Sequence, residues 1–214
     1  MYVYNSLYLI RKDFILVQKF MLLLIPYYLI MGYTNFDGYT IFALFPAMLL
    51  LINSCTMDVQ QNNQKFLISL PVPRQQLVLA KYLAVLPYGL LSFACTLLLY
   101  LVAFLTGRTS DPIAWRELTL CLAAFPLLAS FYLPLHYWLG QKGTQVVNFI
   151  FIMLIMLNFS AASKLMEWMP GLSRWVSTGK SDSILIPVIA GLGYVLILFC
   201  SYLISLRVFT AKDI

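Results

Sequence analysis

The sequence predicts an all-α fold, that of a polytopic membrane protein with six transmembrane helices. Six runs contain no Asp, Glu, Lys or Arg: 20–36, 38–57, 82–107, 118–141, 143–163 and 183–206. Each run is close to or longer than the roughly 20 residues with which an α-helix crosses a hydrocarbon layer about 30 Å thick. Because a charge at the bilayer centre costs at least ~2.5–3.5 kcal/mol, six charge-free runs in one chain indicate six spans.

Composition and length leave little room for a soluble domain. The chain is 62% hydrophobic and 10% charged, whereas an average soluble domain carries about 25% charged residues. The longest interval between spans, residues 57–82, is too short for a catalytic or nucleotide-binding module. We therefore expect a single transmembrane domain over residues 1–214, without a nucleotide-binding domain and without a cleavable signal peptide. The four cysteines lack the spacing of a metal site.

The distribution of charge predicts the orientation of the spans. One side of the membrane holds both termini, residues 57–82 and the turn at 140–144, with nine basic against three acidic residues. The other side holds five residues of each sign, so the whole net charge of +6 lies on the first side. The positive-inside rule places that side, and both termini, in the cytoplasm. Such a charge favours contact with anionic membrane lipids and gives no reason to expect nucleic acid as a partner.

The first span, about residues 14–34, is preceded by a segment of different character. Residues 3–13 are apolar and rich in tyrosine and end in Arg11-Lys12-Asp13, a pattern typical of an N-terminal interfacial helix. Proline, which bends a membrane helix by removing an internal hydrogen bond, occurs in the first four spans at Pro26, Pro46, Pro87, Pro126 and Pro134. These bends serve packing alone or enclose a shaped interior, and the sequence leaves both interpretations open.

The external interval at 160–183 is unusually apolar for a loop and contains Trp168, Trp175 and a break at Pro170-Gly171. Tryptophan favours the headgroup layer. The interval therefore either dips into the outer interface as short external helices before helix 6 or lies on the surface, anchored by its tryptophans. We predict that Trp168, Pro170 and Trp175 form an external gate.

The cytoplasmic interval between the second and third spans is the most informative for function. If residues 58–70 are helical, one face is polar and the other is apolar, the latter with Val59, Phe66, Leu67 and Leu70. Pro71 ends that helix, because the residue before a proline is pushed out of the α region. Arg74 and Lys81 are then expected at headgroup level, at the start of the third span. The pattern suits the docking of a soluble partner or the binding of lipid alone.

The same interval carries a family resemblance. Residues 66–74 read Phe-Leu-Ile-Ser-Leu-Pro-Val-Pro-Arg, and residues 77–82 read Leu-Val-Leu-Ala-Lys-Tyr. This run resembles the signature of ABC-2-type permeases, the membrane subunits of ATP-binding-cassette exporters, and in particular compact bacterial permeases such as the phenol-soluble modulin exporter membrane subunits. The resemblance implies an interfacial N-terminal helix, a cytoplasmic coupling helix between helices 2 and 3, and short external helices before helix 6. The acidic stretch that often precedes the signature is reduced here to Asp58 among Gln and Asn.

The resemblance also implies partners and site residues. The sequence contains no G-x-x-x-x-G-K-[ST] motif, the loop that cradles nucleotide phosphates, so we expect ATP and Mg to be bound and ATP to be hydrolysed by a separate subunit. By resemblance, the assembly contains two copies of a cognate ABC ATPase and a second permease chain, as a homodimer or as a heterodimer with a related permease. The residues that the resemblance assigns to the ATPase-coupling helix are Asp58, Val59, Lys65, Phe66, Leu67, Leu70, Pro71 and Arg74.

Other functional classes fit the residues less well. A membrane-embedded enzyme needs a Ser–His pair, two Asp or a metal site, but His136 is the single histidine and no carboxylate lies in a charge-free run. An ion-coupled transporter usually keeps an intramembrane charge, and only Lys19, near the start of the first span, comes close. A non-ABC scaffold or channel stays possible on hydropathy. We therefore expect no catalytic, cofactor-binding or metal-binding residues in this chain.

The interior of the predicted spans indicates the class of cargo. A path without charges, lined by Tyr, Phe, Met and Leu, suits an amphipathic or hydrophobic substrate. We expect a peptide such as a toxin or bacteriocin, with drugs or lipids as alternatives, and a location in the plasma membrane of a bacterium.

The predicted topology can be tested with reporters. A reporter fused after Ile214 or inserted near Gln61 should read as cytoplasmic, because these positions lie on the basic side of the spans. A reporter inserted near Ser110 or Ser173 should read as external. Cytoplasmic labelling at Ser173 would contradict the six-span arrangement.

Overall fold

Long apolar helices make up the structure, a computed structural model that describes residues 2–34, 39–59, 73–107, 115–168 and 185–211. The described residues form five helices, which confirms the all-α prediction. In chain order they are α1 (Tyr2–Thr34), α2 (Tyr39–Val59), α3 (Arg74–Leu105), α4 (Trp115–Trp168) and α5 (Leu185–Ala211).

The helices provide enough length for several membrane crossings. Four segments of the described residues are long and apolar enough to span a bilayer: Tyr8–Ile30, Arg74–Leu105, Leu118–Gly140 and Ala190–Ala211. Two shorter apolar segments, Leu44–Val59 and Gly143–Ile155, lie where the second and fifth spans were predicted. The prediction of six spans is therefore supported at four positions, and the complete six-span topology stays a prediction.

Helix α4 turns back on itself at Gly140. This residue has φ 64° and ψ −157°, a backbone conformation that is accessible essentially only to glycine. In a straight helix Tyr132 and Asn148 would be about 24 Å apart, at 1.5 Å per residue. Instead, the Tyr132 hydroxyl donates a hydrogen bond to Asn148 Oδ1 at 2.8 Å. The arms 115–139 and 141–168 therefore lie side by side, and the reversal falls at the first residue of the predicted 140–144 turn.

Helix α2 contributes much of the buried core. It contacts α1, α3 and α4, whereas α1 contacts only α2 and α3 among the described elements. Nearly every apolar residue from Ala47 to Cys55 is buried, and this stretch packs against a common set of side chains from the other helices. That set includes Val17, Tyr88, Phe125, Tyr132 and Phe151. The buried α2 thus sets the position of the three helices around it.

The outer faces of α1 and α5 are apolar and exposed. Leu22, Leu29, Leu192, Leu196 and Phe199 are each more than half exposed. In water such surfaces would be costly, whereas in a bilayer they meet lipid tails of the same polarity. This distribution agrees with membrane-spanning helices whose inner faces form the core.

The N-terminal segment corrects one prediction. Residues 3–13 do not form a separate interfacial helix, because α1 runs without interruption from Tyr2 to Thr34. The sequence contains neither glycine nor proline before Pro26, and Lys12 and Asp13 find partners in α2 and α3 instead of lipid headgroups. Pro26 and the four other prolines singled out in the sequence all lie inside helices and end none of them.

The reversal of α4 at Gly140 predicts that one added methyl group lowers stability beside the reversal and not in α5. Gly143→Ala should destabilise the protein by about 1–3 kcal/mol, because the new Cβ would overlap the Cβ of Leu139. Gly191→Ala in α5 is the matched control: nothing lies within 4 Å of the added Cβ, and alanine is favoured over glycine in a helix. Thermal unfolding in detergent should show a lower Tm for Gly143→Ala alone. Equal Tm values would contradict the tight reversal.

Candidate functional site

The predicted coupling residues are placed only in part. Asp58 and Val59 are the last two residues of α2, and Arg74 is the first residue of α3. A new helix therefore does not begin at Asp58, and Lys65, Phe66, Leu67, Leu70 and Pro71 lie outside the described residues. Of the predicted external gate, Trp168 is the last residue of α4, whereas Pro170 and Trp175 lie outside the described part of the chain.

Four charged side chains meet where α2 ends, and we call Lys12, Asp13, Asp58 and Lys81 the charge cluster. Lys81 Nζ lies 2.9 Å from Asp13 Oδ2 and 2.7 Å from Asp58 Oδ2. Lys12 Nζ lies 3.2 Å from Asp13 Oδ1 and 2.8 Å from Asp58 Oδ1. Each lysine therefore bridges both carboxylates, and the four charges alternate in sign around a closed ring with no net charge.

The Lys81–Asp13 pair of the charge cluster is buried, whereas the side chains of Lys12 and Asp58 are 24% and 14% exposed. Lys81 is 5% exposed and Asp13 is 2% exposed, so the Lys81 side chain faces the neighbouring helices and not the lipid headgroups. Its ammonium also donates a hydrogen bond to Ser54 Oγ at 2.5 Å. A buried ion pair adds little net stability, because desolvation offsets the attraction. Removal of one partner, however, costs about 3–5 kcal/mol because it leaves an unpaired buried charge.

The lengths of the helices place the charge cluster near one membrane boundary. Helix α3 has 32 residues and is therefore about 48 Å long, whereas a hydrocarbon layer is about 30 Å thick. Lys81 lies seven residues after Arg74, at the end of α3 that precedes its charge-free run at 82–107. Asp58 is next to the last residue of α2. The cluster thus lies on the side of the membrane where residues 60–72 connect α2 to α3.

A second polar contact joins the same end of α2 to α4. Asn148 Nδ2 donates a hydrogen bond to Thr56 Oγ1 at 3.0 Å, and Asn148 Oδ1 accepts one from the Tyr132 hydroxyl. Ser54 and Asp58 are one helical turn apart and share a face, while Thr56 lies on the other side of the helix. The last two turns of α2 therefore bond to α3 and α1 on one side and, on the other, to Asn148 in the second arm of α4, which is itself bonded to Tyr132 in the first arm.

Helix α3 is bonded to α5 close to the charge cluster. The hydroxyl of Tyr82, the residue after Lys81, lies 2.6 Å from Ser201 Oγ and 2.9 Å from Ser205 Oγ. Ser201 Oγ in turn donates to the carbonyl of Ser130 in α4 at 2.5 Å. Arg74 reaches the carbonyl of Thr210 at 3.4 Å. The beginning of α3 is thus fastened to α5 as well as to α1 and α2.

His136, the single histidine of the sequence, packs between the two arms of α4. Its ring stacks on Tyr132, with centroids 5.7 Å apart, and Nδ1 lies 3.3 Å from Thr144 Oγ1. Thr144 also donates to the carbonyl of Gly140 at 2.6 Å. The histidine therefore helps to hold the two arms of α4 together at their reversal, and within the described residues no group of His, Cys, Asp and Glu is arranged to bind a metal.

Sequence reasoning missed the charge cluster, although a signal was present. Lys12-Asp13, Asp58 and Lys81 each lie beside the same-side end of the first, second and third spans, and they comprise two positive and two negative charges. Balanced charges at neighbouring helix ends indicate pairing across helices when burial makes isolated charges costly. The positive-inside rule uses only the sum of these charges, so it does not reveal that they can pair with one another.

Comparison with known proteins identifies the family. The family model described as ABC-2 family transporter protein matches residues 8–210, a region that contains the whole charge cluster and part or all of every helix. No curated protein and no solved structure matches the chain. Because the family match covers most of its length, the chain belongs to the ABC-2 transporter family, and it is a multi-pass membrane protein.

Proposed function

We propose that this chain is the membrane subunit of an ATP-binding-cassette exporter and that a separate ATPase supplies the energy. Family membership supports the transport role. The observation that carries the coupling is the charge cluster, because Asp58 and Lys81 lie on either side of residues 60–72 and bind each other. The two helix ends joined by the predicted coupling segment are thereby held together.

Contacts at these helix ends support a role in transmitting force. A partner that displaces residues 60–72 acts on α2 after Val59 and on α3 before Arg74. From α2 the displacement reaches α4 through Thr56 and Asn148. From α3 it reaches α5 through Tyr82 and Ser201. A single cytoplasmic input is therefore distributed over the helices of the bundle.

The proposed cargo is amphipathic or hydrophobic, most simply a peptide with one apolar face. The six charge-free runs support this class, because a strongly charged cargo needs charged or metal-bound partners along its path. The polar groups between the described helices include neutral hydroxyl and amide groups, such as Thr96, Tyr132 and Asn148, that are hydrogen-bonded within the protein. A hydrophobic drug or a lipid is the alternative cargo.

The proposed assembly contains two copies of this chain and two ATPase subunits, with ATP and Mg bound by the ATPase. Resemblance to ABC-2 permeases supports this stoichiometry. Exposed apolar faces on α1 and α5 also leave room for a second permease chain or for lipid. A heterodimer with a related permease is compatible with the same faces.

The proposed partnership predicts an activity that appears only in the complex. Purified alone, the chain should hydrolyse no ATP, because its sequence contains no phosphate-cradling loop. Expressed with its cognate ATPase, it should co-purify in equal numbers of copies, and an amphipathic peptide should stimulate hydrolysis in proteoliposomes. A single-chain preparation that hydrolyses ATP would refute the proposal, whereas stimulation by a drug or lipid alone would revise the cargo.

The predicted coupling helix can be tested at its apolar face. Phe66→Asp combined with Leu70→Asp should leave membrane insertion intact, because both residues lie outside the predicted spans. Binding to the ATPase should fall, since burial of one large apolar side chain contributes about 1.5–3 kcal/mol. Arg74→Ala is a milder comparison, because a charge near the membrane surface contributes about 1 kcal/mol. Pull-down of the ATPase at equal membrane levels measures the effect, and wild-type binding by the double variant would contradict partner docking.

A further inference from the structure

The charge cluster does more than connect α2 to α3, because both of these helices bind the same two residues of α1. Asp58 pairs with Lys12 at 2.8 Å, and Lys81 pairs with Asp13 at 2.9 Å. Helix α1 is not adjacent in sequence to residues 60–72, and it contacts only α2 and α3 among the described elements. Ionic contacts with Asp58 and Lys81 therefore fasten α1 to both ends of the predicted coupling segment.

We propose that the charge cluster is the joint through which displacement of residues 60–72 moves α1, so that Lys12 and Asp13 are positioning residues for energy coupling. This inference rests on the proposed function. It assigns to the charge cluster the route by which the ATPase moves α1 without contacting that helix. The route runs from residues 60–72 to Asp58 and Lys81, and from these two residues to α1.

The charge cluster makes α1 move with α2 and α3 because ionic contacts resist sliding more than apolar contacts do. Two helices joined by apolar side chains alone can slide by a fraction of a turn, because dispersion is not directional. Here, each carboxylate contacts both lysines at 2.7–3.2 Å. A shift of α2 or α3 without α1 would separate buried opposite charges, which is strongly unfavourable. The lowest-energy response is a joint movement of the three helix ends.

The rest of α1 is suited to such a movement. Beyond the charge cluster its inward side chains include Val17 and Leu24, which pack in the apolar core. Its outward side chains, such as Leu22 and Leu29, face the lipid. At its far end the Tyr28 hydroxyl lies 3.1 Å from Ser92 Oγ in α3. Apolar packing and neutral hydrogen bonds tolerate a tilt that the charge cluster would impose at the other end.

The test removes the α1 half of the charge cluster and keeps the total charge. The double variant Lys12→Met/Asp13→Asn leaves the 2.7 Å bridge between Asp58 and Lys81 and does not alter residues 60–72. We expect wild-type membrane levels and wild-type pull-down of the ATPase. Transport per ATP hydrolysed should fall about tenfold, a usual size for coupling between sites. Lys19→Gln, which removes an exposed lysine of the same helix, is the matched control and should retain the wild-type ratio.

Each outcome decides the proposal. A wild-type transport-to-hydrolysis ratio in the double variant overturns it. If the variant does not accumulate, Asp58→Asn/Lys81→Met removes the other half, leaves the Lys12–Asp13 pair, and should show the same uncoupling. If neither variant reaches the membrane, the cluster serves stability alone and the proposal is overturned. Failure of the wild-type chain to bind an ATPase refutes the proposed function, which separates that failure from a failure of the joint.

Discussion

The requirement that a buried charge has an opposite charge beside it governs the arrangement of this protein. Lys81 and Asp13 are almost fully buried, so each of them needs an opposite charge beside it. Their pairing, closed by Lys12 and Asp58, fixes the relative positions of α1, α2 and α3 at one end. Because Lys12 and Asp13 are used in this way, α1 continues through them as one helix instead of a helix at the lipid surface followed by a span.

Helix α2 connects this arrangement to α4. Its middle is buried in the apolar core, and its last two turns carry Ser54, Thr56 and Asp58 on two sides. Helices in a membrane gain little from the hydrophobic effect, since lipid tails are as apolar as the side chains they replace. Polar contacts and close packing therefore determine which helices touch. Among the described residues, the polar contacts concentrated beside residues 60–72 fix the relative positions of the helices at that end.

The sequence predicted local features well and contacts between distant residues poorly. The charge-free run 38–57 agrees with α2 within about two residues, and the run 82–107 ends within about two residues of the end of α3, because absence of charge is read directly from the sequence. The reversal at Gly140 was likewise expected from a short turn. The pairing of Lys12 with Asp58 joins residues 46 positions apart, and no local periodicity encodes it. Lys81 was accordingly assigned to the headgroup layer, where an unpaired lysine would lie.

The two ends of the bundle differ in how they can respond to a partner. At the end near residues 60–72, four charges and several hydrogen bonds fix the register between helices. Toward the other end of α1 the contacts are mainly apolar, with aromatic pairs such as Tyr27 and Phe45 at 5.5 Å, and these tolerate small rotations. In the proposed coupling mechanism, a rigid end beside the predicted coupling segment and a more adaptable end beyond it convert a small input into a change of helix tilt. In that mechanism the charge cluster is the joint of α1, α2 and α3, because helices that cannot slide past one another at one end respond by changing their angle.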